Sequence, residues 1–399
     1  MISTAQQNTR SEAPVTDRIP LSEPVQTGRE WELVRDCLET NWLSTAGPYV
    51  SRLEAMVADR LGVTHAVATS SGTAALHVAL EVAGVLPDDE VLAPSLTFIA
   101  SINAIRYAGA HPVLIGSDLG TAQLSVNHVE SFVRTRCRKV DGVLYNTSTG
   151  RRVAAMMPVH ILGHPCDMAP LLELAEENGL VVVEDACEAL GAQYKGRDIG
   201  SFGHIACFSF NGNKTITAGA GGMIVTNRTE WGQRARHLTT QAKQEGPEFI
   251  HTEVGYNYRL SNLHAAIGCA QFDALDSYIA KKRAIANQYH RALSVLPGIR
   301  PIEEAAWATS TCWLSAFRID EVASGKTSRE LQEALNVAGI ESRPLWQPGH
   351  LSSVYGDVES FRCESSTRLY DEVLCLPSSV SLTREQQDRV IAAIERTAR

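Results

Sequence analysis

The feature that most constrains the fold is a regular alternation of short apolar runs with amphipathic stretches in the first half of the chain. The apolar runs are nearly continuous, which is typical of strands buried on both faces. They lie at residues 65–70, 90–95, 111–115, 153–159, 180–186 and 205–210. Stretches with helical periodicity separate several of these runs, at residues 73–84, 97–109 and 168–179. The alternation predicts an α/β fold in which helices cover a mostly parallel sheet.

The pattern changes after about residue 260, which indicates a second domain. Residues 263–296 have the pattern of a helix too long for one small layer, and we expect this helix to link two domains. The remainder mixes strand-like and helical segments, which predicts a smaller α+β domain. The chain is therefore divided into a flexible N-terminal tail, a large domain, and a linking helix with the small C-terminal domain, at residues 1–18, 19–262 and 263–399.

Charge and cysteine usage argue against several classes of protein. The 399-residue chain has a net charge of -9, which argues against a surface for nucleic acid or for an anionic membrane. No run reaches the length of a membrane span, and the polar N-terminus lacks an apolar signal core. The nine cysteines include no Cys-x-x-Cys pair and suit buried thiols in a reducing compartment. We expect a cytoplasmic protein.

A first candidate site lies at Ser70-Ser71-Gly72-Thr73, which follows a predicted strand and opens a predicted helix. Gly72 permits a tight turn, and the free amides of a helix N-terminus attract anions. Hydroxyl groups at positions 71 and 73 add donors, so the turn could cradle a phosphate. The alternative is simple capping of the helix by Ser71 or Thr73.

A second candidate is Glu184-Asp185, at the end of the apolar run that begins at Leu180. Open α/β sheets bind their ligands outside the carboxyl ends of the strands. A partly desolvated carboxylate at this point needs a cationic partner, and a protonated ring nitrogen is one. A helix cap or a structural ion pair is the alternative.

The third candidate is Lys214, in the segment FSFNGNKTITAGAGG at residues 208–222. Asn211-Gly212 is a strong turn signal, so an exposed hairpin lysine is one interpretation. The other is a lysine that must reach an aldehyde. Pyridoxal 5′-phosphate (PLP) needs a phosphate site, an acid opposite its ring nitrogen and a lysine for its aldehyde. This single cofactor accounts for all three candidates.

The order of the motifs resembles the DegT/DnrJ/StrS sugar aminotransferases, which are fold-type-I PLP-dependent enzymes. The likeness extends from Ile19 to the last predicted helix. The motifs that carry it are SSGTAALHVAL, APSLTFIASINAIRYAGAHPV, PVHILGHPCDM, VEDACEALGA, FSFNGNK and GYNYRLSNLHAAIGCAQ. The resemblance implies a large PLP-binding domain, a smaller C-terminal domain and aminotransferase activity.

The resemblance also implies a role for each matching residue. Lys214 corresponds to the lysine that binds the cofactor, Asp185 to the acid that pairs with the ring nitrogen, and Phe98 to the aromatic residue that stacks on the ring. Glu188 lies where many relatives have His or Gln near the cofactor's 3-oxygen. The phosphate ligands correspond to Gly72, Thr73, Ser209 and Asn257. In relatives the residue at position 257 comes from the partner subunit, so a homodimer with shared active sites is implied.

The substrate expectation rests on finer details of the same resemblance. The segments HILGHP, FSFNGNK and HLTTQAK resemble the branch that aminates C4 of UDP-linked 4-keto-6-deoxy-N-acetylhexosamines, of the legionaminic acid and bacillosamine type. Glutamate is the expected amino donor and surface polysaccharide the expected product class. The alternatives are a GDP-4-keto-6-deoxymannose 4-aminotransferase of the perosamine type and a non-catalytic regulatory protein on the same fold.

Five further residues are candidate substrate contacts, each with core or loop packing as the alternative. They are Trp42, Ser44, His164, Trp346 and His350. His160 and His164 have a spacing found in metal sites, but no third ligand lies nearby in the sequence. We therefore expect no metal ion.

Overall fold

The computed structural model describes residues 18–398. The predicted N-terminal tail lies outside the described residues, apart from Arg18. The α-helices of the described part are α1 Glu30–Glu39, α2 Pro48–Leu61, α3 Gly72–Val82, α4 Ile99–Tyr107, α5 Val126–Arg136, α6 Met168–Asn178, α7 Thr229–Thr239, α8 Asn262–Phe272, α9 Leu275–Leu293, α10 Glu321–Ser324, α11 Ser328–Val337, α12 Glu364–Glu372 and α13 Arg384–Thr397.

The strands of the same residues are β1 His65–Thr69, β2 Glu90–Pro94, β3 His111–Ile115, β4 Cys137–Val140, β5 Val143–Asn146, β6 Val153–Met156, β7 Val181–Asp185, β8 Gln193–Tyr194, β9 Arg197–Asp198, β10 Ile205–Ser209, β11 Gly222–Thr226, β12 Ile299–Pro301, β13 Ala308–Thr309, β14 Ser315–Ile319, β15 Arg343–Pro344, β16 Ser360–Phe361 and β17 Val373–Leu376. None of the helices within residues 18–398 has both the length and the apolar character needed to cross a bilayer.

The main sheet confirms the predicted α/β class. Its strand order over the described residues is β1-β11-β10-β7-β6-β2-β3-β16. All neighbouring pairs from β10 to β16 are parallel, and β11 runs antiparallel to both β1 and β10. The six apolar runs became strands of this sheet. A seventh long strand, β11, follows the Lys214 loop and was not predicted from the sequence.

Helices bury both faces of the main sheet, which explains why its strands are continuously apolar. Successive residues of β7 point to opposite sides: Val182 belongs to one core cluster and Val183 to the other. On β2, Leu92 belongs to the first of these clusters and Val91 to the second. Because neither face can accept polar side chains, polar residues collect at the strand ends.

The C-terminal part builds a second, antiparallel sheet with the order β12-β14-β17-β15. Its core is a separate cluster that includes Tyr289, Phe317, Leu335 and Ile394. The predicted linking helix is two helices, α8 and α9. In the structure α8 packs on α1 and α2, whereas α9 packs on β12 and β14. The division of the chain at residue 262 stays a prediction.

One buried lysine ties α9 to the loops at the junction between the two sheets. Lys282 is 2% exposed, and its ammonium donates hydrogen bonds to the carbonyl oxygens of Trp313 (3.0 Å) and Ser378 (2.8 Å). Burial lowers the pKa of Lys282 to about 8. The position of Trp313 therefore depends on a lysine whose charged form is destabilised by burial.

We expect this lysine to make stability depend on pH. The pKa of Lys282 is about 8 when folded, against an ordinary value of 10.5. At Lys282 the unfolded chain thus binds more protons between these two values, so the contribution of this residue to the free energy of unfolding rises with pH across that window, by ~3 kcal/mol. Lys282→Met should lack this contribution, so its free energy of unfolding should rise less with pH than that of the wild type.

Chemical denaturation of both proteins between about pH 7.5 and 10 measures the effect. The exposed neighbour Lys281 supplies the control, since Lys281→Met should keep the wild-type slope. Parallel curves for wild type and Lys282→Met would contradict the expectation.

Candidate active site

A cavity of about 300 Å³ lies at the carboxyl ends of β7 and β10, beside the first turn of α3. Open α/β sheets place ligands at such strand ends. Of the residues predicted from the sequence, those that line the cavity are Gly72, Thr73, Phe98, Asp185, Glu188, Ser209, Lys214 and Trp346. The three separate candidates of the sequence are therefore brought together in one place.

Asp185 is the last residue of β7 and is only 3% exposed. Its carboxylate accepts hydrogen bonds from the Ser101 hydroxyl (2.6 Å) and the Cys187 amide (3.1 Å). The Ser101 hydroxyl lies 2.9 Å from that of Thr97, which extends the network. Both donors to Asp185 are neutral and leave its charge uncompensated. A cationic group in the cavity would balance it.

The first turn of α3 forms one wall of the cavity. Ser71 caps the helix by accepting a hydrogen bond from the Ala74 amide (3.0 Å), so the capping interpretation is correct for this residue. The amides of Gly72 and Thr73 belong to the first turn and have no acceptor within the helix. They remain available to an anion, with the Ser209 hydroxyl also lining the cavity.

Two glycines allow this turn to approach the strands. A Cβ atom on Gly72 would lie 2.8 Å from Cys187 Sγ and 2.9 Å from Ser209 Cβ. A Cβ atom on Gly222, at the start of β11, would lie 2.5 Å from the Ser71 carbonyl oxygen. Any side chain at either position would force the turn and the strand ends apart.

Lys214 follows the turn after β10, where its amide donates to the Asn211 carbonyl oxygen (3.1 Å). Its side chain is 13% exposed, so the alternative of an exposed hairpin lysine does not hold. The ammonium lies 3.6 Å from Glu188 Oε1 and 4.4 Å from the ring centre of Trp313. Lys214 thus points into the cavity between a carboxylate and an aromatic face.

Glu188 is 7% exposed and accepts a hydrogen bond from the Leu162 amide through Oε2 (2.9 Å). Burial raises the pKa of Glu188 to about 7, although the Lys214 ammonium and the Leu162 amide act in the opposite direction. This carboxyl group therefore changes charge near neutral pH.

Three of the predicted residues lie at the surface, away from the cavity. Asn257 is exposed, and its backbone bridges to Thr240. Trp42 is 50% exposed, and Ser44 is exposed as well. Within one chain these residues do not contribute to the cavity, and their roles stay predictions.

Two predicted histidines also lie outside the cavity, because internal groups occupy their ring nitrogens. His164 is buried, with Nδ1 2.7 Å from the Pro165 carbonyl oxygen, and Nε2 accepts the Ala305 amide at 3.0 Å. His350 contacts the hydroxyls of Ser95 (2.6 Å) and Thr367 (2.9 Å). In the structure, both rings make hydrogen-bond contacts within the protein that hold neighbouring segments together.

The metal-like spacing of His160 and His164 likewise has a structural explanation. His160 is fully buried, with Nε2 3.2 Å from Glu184 Oε2. Its other ring nitrogen accepts the Cys166 amide (3.0 Å). Across residues 18–398, no group of three or more His, Cys, Asp or Glu side chains could hold a metal ion.

Two residues that line the cavity, Ser101 and Trp313, were not predicted from the sequence. Trp313 comes from the loop before β14, donates from its indole nitrogen to the Asn213 carbonyl oxygen (2.7 Å) and stacks on Trp346, with ring centres 6.3 Å apart. Trp313 lies in the strand-like segment at residues 312–319, and no local pattern there reveals its contact with a loop about 100 residues earlier. Ser101 lies on α4 within the motif APSLTFIASINAIRYAGAHPV, but no role was predicted for it.

The residues of the cavity fit PLP. The turn amides and hydroxyls suit its phosphate, Asp185 suits a protonated ring nitrogen, and Lys214 suits its aldehyde. Because Gly72 has no Cβ atom to meet Cys187 and Ser209, the first turn of α3 lies close to the strand ends, and its amides and the Ser209 hydroxyl line the same cavity. Fold and cavity together define a PLP-dependent transferase of the α/β class.

Comparison with known proteins identifies the family. The family pattern of the DegT/DnrJ/EryC1/StrS aminotransferases matches residues 24–395. The GDP-perosamine synthase of Caulobacter vibrioides is 37% identical to this chain, and the match covers 95% of this chain and 98% of that protein. The GDP-perosamine synthase of Escherichia coli O157:H7 is 38% identical, and the match covers 92% of this chain and 95% of that protein. The crystal structure of the aminotransferase TlmJ from Streptoalloteichus hindustanus is 30% identical with a TM-score of 0.85, covering 95% of this chain and 98% of that one.

The chain belongs to the DegT/DnrJ/EryC1/StrS aminotransferase family. It is a PLP-dependent sugar aminotransferase, which uses a nucleotide-linked sugar and an amino donor. The predicted cofactor and enzyme class are therefore confirmed.

Gly72→Ala should weaken cofactor binding, because the new methyl group would meet Cys187 and Ser209 at less than 3.0 Å. Overpacking of this kind costs about 1–3 kcal/mol, which corresponds to a rise in the Kd for PLP of roughly 5- to 150-fold. Absorbance titration of the cofactor-free protein measures it. Gly212→Ala is the matched control, since a Cβ atom there meets nothing within 4 Å. Equal Kd values for the two variants would contradict the close-approach argument.

Proposed function

We propose that this aminotransferase moves the amino group of L-glutamate to C4 of GDP-4-keto-6-deoxymannose. The observation that carries the proposal is the likeness, over more than nine tenths of the chain, to two proteins named GDP-perosamine synthase. This substrate was the alternative in the sequence analysis. The expected UDP-linked 4-keto-6-deoxy-N-acetylhexosamine becomes the second candidate, supported by the segments HILGHP and FSFNGNK.

The cavity residues have complementary roles in this proposal. When bound, PLP supplies a reactive aldehyde and a ring that accepts electrons. Lys214 holds the cofactor through its amine and, once free, carries a proton between reacting carbons. Asp185, kept in place by Ser101 and Cys187, keeps a proton on the ring nitrogen. Gly72, Thr73 and Ser209 bind the phosphate.

Aromatic side chains complete the walls of the cavity. Phe98 stands at the start of α4 with half of its surface exposed, and in this proposal it covers the face of the cofactor ring. Trp313 and Trp346 form a stacked pair on the side of the small domain. We propose that this pair keeps water away from Lys214. The non-catalytic alternative has no support, because Lys214 and Asp185 share one cavity.

A substrate panel tests the proposal. The protein is incubated with glutamate and a set of GDP- and UDP-linked 4-keto-6-deoxy sugars, and product mass is followed. We expect replacement of the ketone by an amine with GDP-4-keto-6-deoxymannose, at a higher kcat/KM than with any UDP sugar. Lys214→Ala should lose more than ~10²-fold in rate, since acid–base work alone contributes that much.

The position of the cofactor is checked in the same experiment by borohydride reduction and peptide mapping. The added mass should lie on the peptide that contains Lys214 and not on the half-buried Lys243. A preference for UDP-linked N-acetylhexosamines would overturn the substrate proposal and favour the second candidate. Label on Lys243 would overturn the assignment of Lys214.

We further propose that two copies of the chain share their active sites, as the family resemblance implies. The segment that carries Asn257 is firmly held: the Tyr258 carbonyl oxygen accepts the Ser70 amide (2.7 Å), and Arg259 pairs with the buried Glu54 (2.9 Å). Asn257 nevertheless faces solvent. Exposed Trp31 (77%) and Phe249 (82%) supply apolar surface that a second copy could cover.

Mixing two inactive variants tests this arrangement. Lys214→Ala removes the catalytic lysine, and Asn257→Asp puts an anion where a partner's phosphate would bind. Re-assorted heterodimers have one site with both residues intact, so part of the activity should return. If the mixture stays inactive while Asn257→Asp homodimers bind PLP normally, the sites are not shared.

A further inference from the structure

We propose that Glu188 acts through Lys214: its carboxylate stabilises the ammonium that Lys214 becomes on taking a proton, and the Leu162 turn holds it there. The proposal rests on the role of Lys214 given above. Glu188 would then stabilise the Lys214 ammonium in addition to contacting the cofactor's 3-oxygen. The segment HILGHP (residues 160–165), which contains Leu162, would hold Glu188 in position.

The geometry around Lys214 favours its charged form on two sides. Glu188 Oε1 lies 3.6 Å from the nitrogen, and the face of Trp313 lies 4.4 Å away, within the range of a cation–π contact. An opposite charge at this distance stabilises an ammonium strongly, and more so in a buried site. An amine whose protonated form is stabilised is the stronger base.

The Leu162 turn positions both partners of Lys214. The Leu162 amide donates to Glu188 Oε2 (2.9 Å), and the Leu162 carbonyl oxygen accepts the Trp313 amide (3.1 Å). One backbone unit therefore connects the carboxylate to the aromatic face. With Lys214 the three residues form a closed ring of contacts.

The Leu162 turn that connects Glu188 to Trp313 has a strained backbone. Leu162 has φ 60° and ψ 10°, a left-handed conformation that is strained for a side chain of this kind. The next residue, Gly163, has φ 79°, and a Cβ atom on it would lie 2.0 Å from Thr311 Oγ1. Backbone strain of this sort persists where the surrounding structure enforces it, which is common at active sites.

The charges that face Glu188 set the pH at which it can act. Burial raises the pKa of Glu188 to about 7, with Asp185 acting in the same direction and Lys214 against it. The Cys375 thiol also faces Glu188: burial raises the pKa of Cys375, and the charge of Glu188 acts in the same direction. Above about pH 7 the carboxylate is ionised and stabilises the ammonium, and this stabilisation is lost as the pH falls below that value.

The test measures the protonation of Lys214 directly, without substrate. Full-length protein freed of cofactor is labelled with trace acetic anhydride, which reacts with neutral amines, and Lys214 is quantified by peptide mass spectrometry as a function of pH. In Glu188→Gln the half-maximal reactivity of Lys214 should move to lower pH by about 1–3 pH units. Glutamine keeps an oxygen to accept the Leu162 amide, so the fold of the turn is preserved.

Two controls make the result specific. Half-buried Lys243 in the same sample should keep its profile, because its ammonium lies over the ring of Phe249 (4.2 Å) and not beside Glu188. Glu188→Asp keeps the charge at a greater distance and should give an intermediate shift. An unchanged Lys214 profile in folded Glu188→Gln would overturn the proposal. Because no sugar takes part, that outcome is distinguishable from failure of the substrate proposal.

Discussion

The constraint on which the site depends is that helices bury both faces of the main sheet. Val182 and Val183 enter opposite cores, so the polar side chains of β7, Glu184 and Asp185, stand at the end of the strand. Its neighbour β10 ends in the same way at Ser209. Because these strands are parallel, their polar ends meet at one edge of the sheet. The cavity follows from this geometry together with the close approach of α3.

The site also depends on the junction between the two sheets. Trp313 lies just before β14, a strand of the small sheet, yet it contacts the Lys214 loop and the Leu162 turn. Lys282 fixes the Trp313 carbonyl oxygen from the other side. Buried Lys282 and strained Leu162 therefore both hold Trp313 in place. We infer that Trp313 is needed for function at this position, because burial of Lys282 and backbone strain at Leu162 both reduce stability.

Much of the fold could be predicted because its signals are local. Nearly continuous apolar runs located six strands, helical periodicity located several helices, and their alternation identified the α/β class. Two features escaped prediction. The antiparallel β11 has the same apolar pattern as a parallel strand, and its direction depends on its pairing with β1 and β10. The linking helix divides near Asp273 without proline or glycine to signal the break.

By itself, the sequence determined the chemistry: a phosphate turn at Gly72, an acid at Asp185 and a lysine at Lys214, in an order that implies one cofactor. Only the tertiary structure decided which residues share the cavity. It excluded His164 and His350 by using their ring nitrogens internally, and it added Ser101 and Trp313. The physical reason is that the sequence specifies residue types and local spacing directly. Distances between segments that are far apart in the chain are set only when the sheets and helices pack.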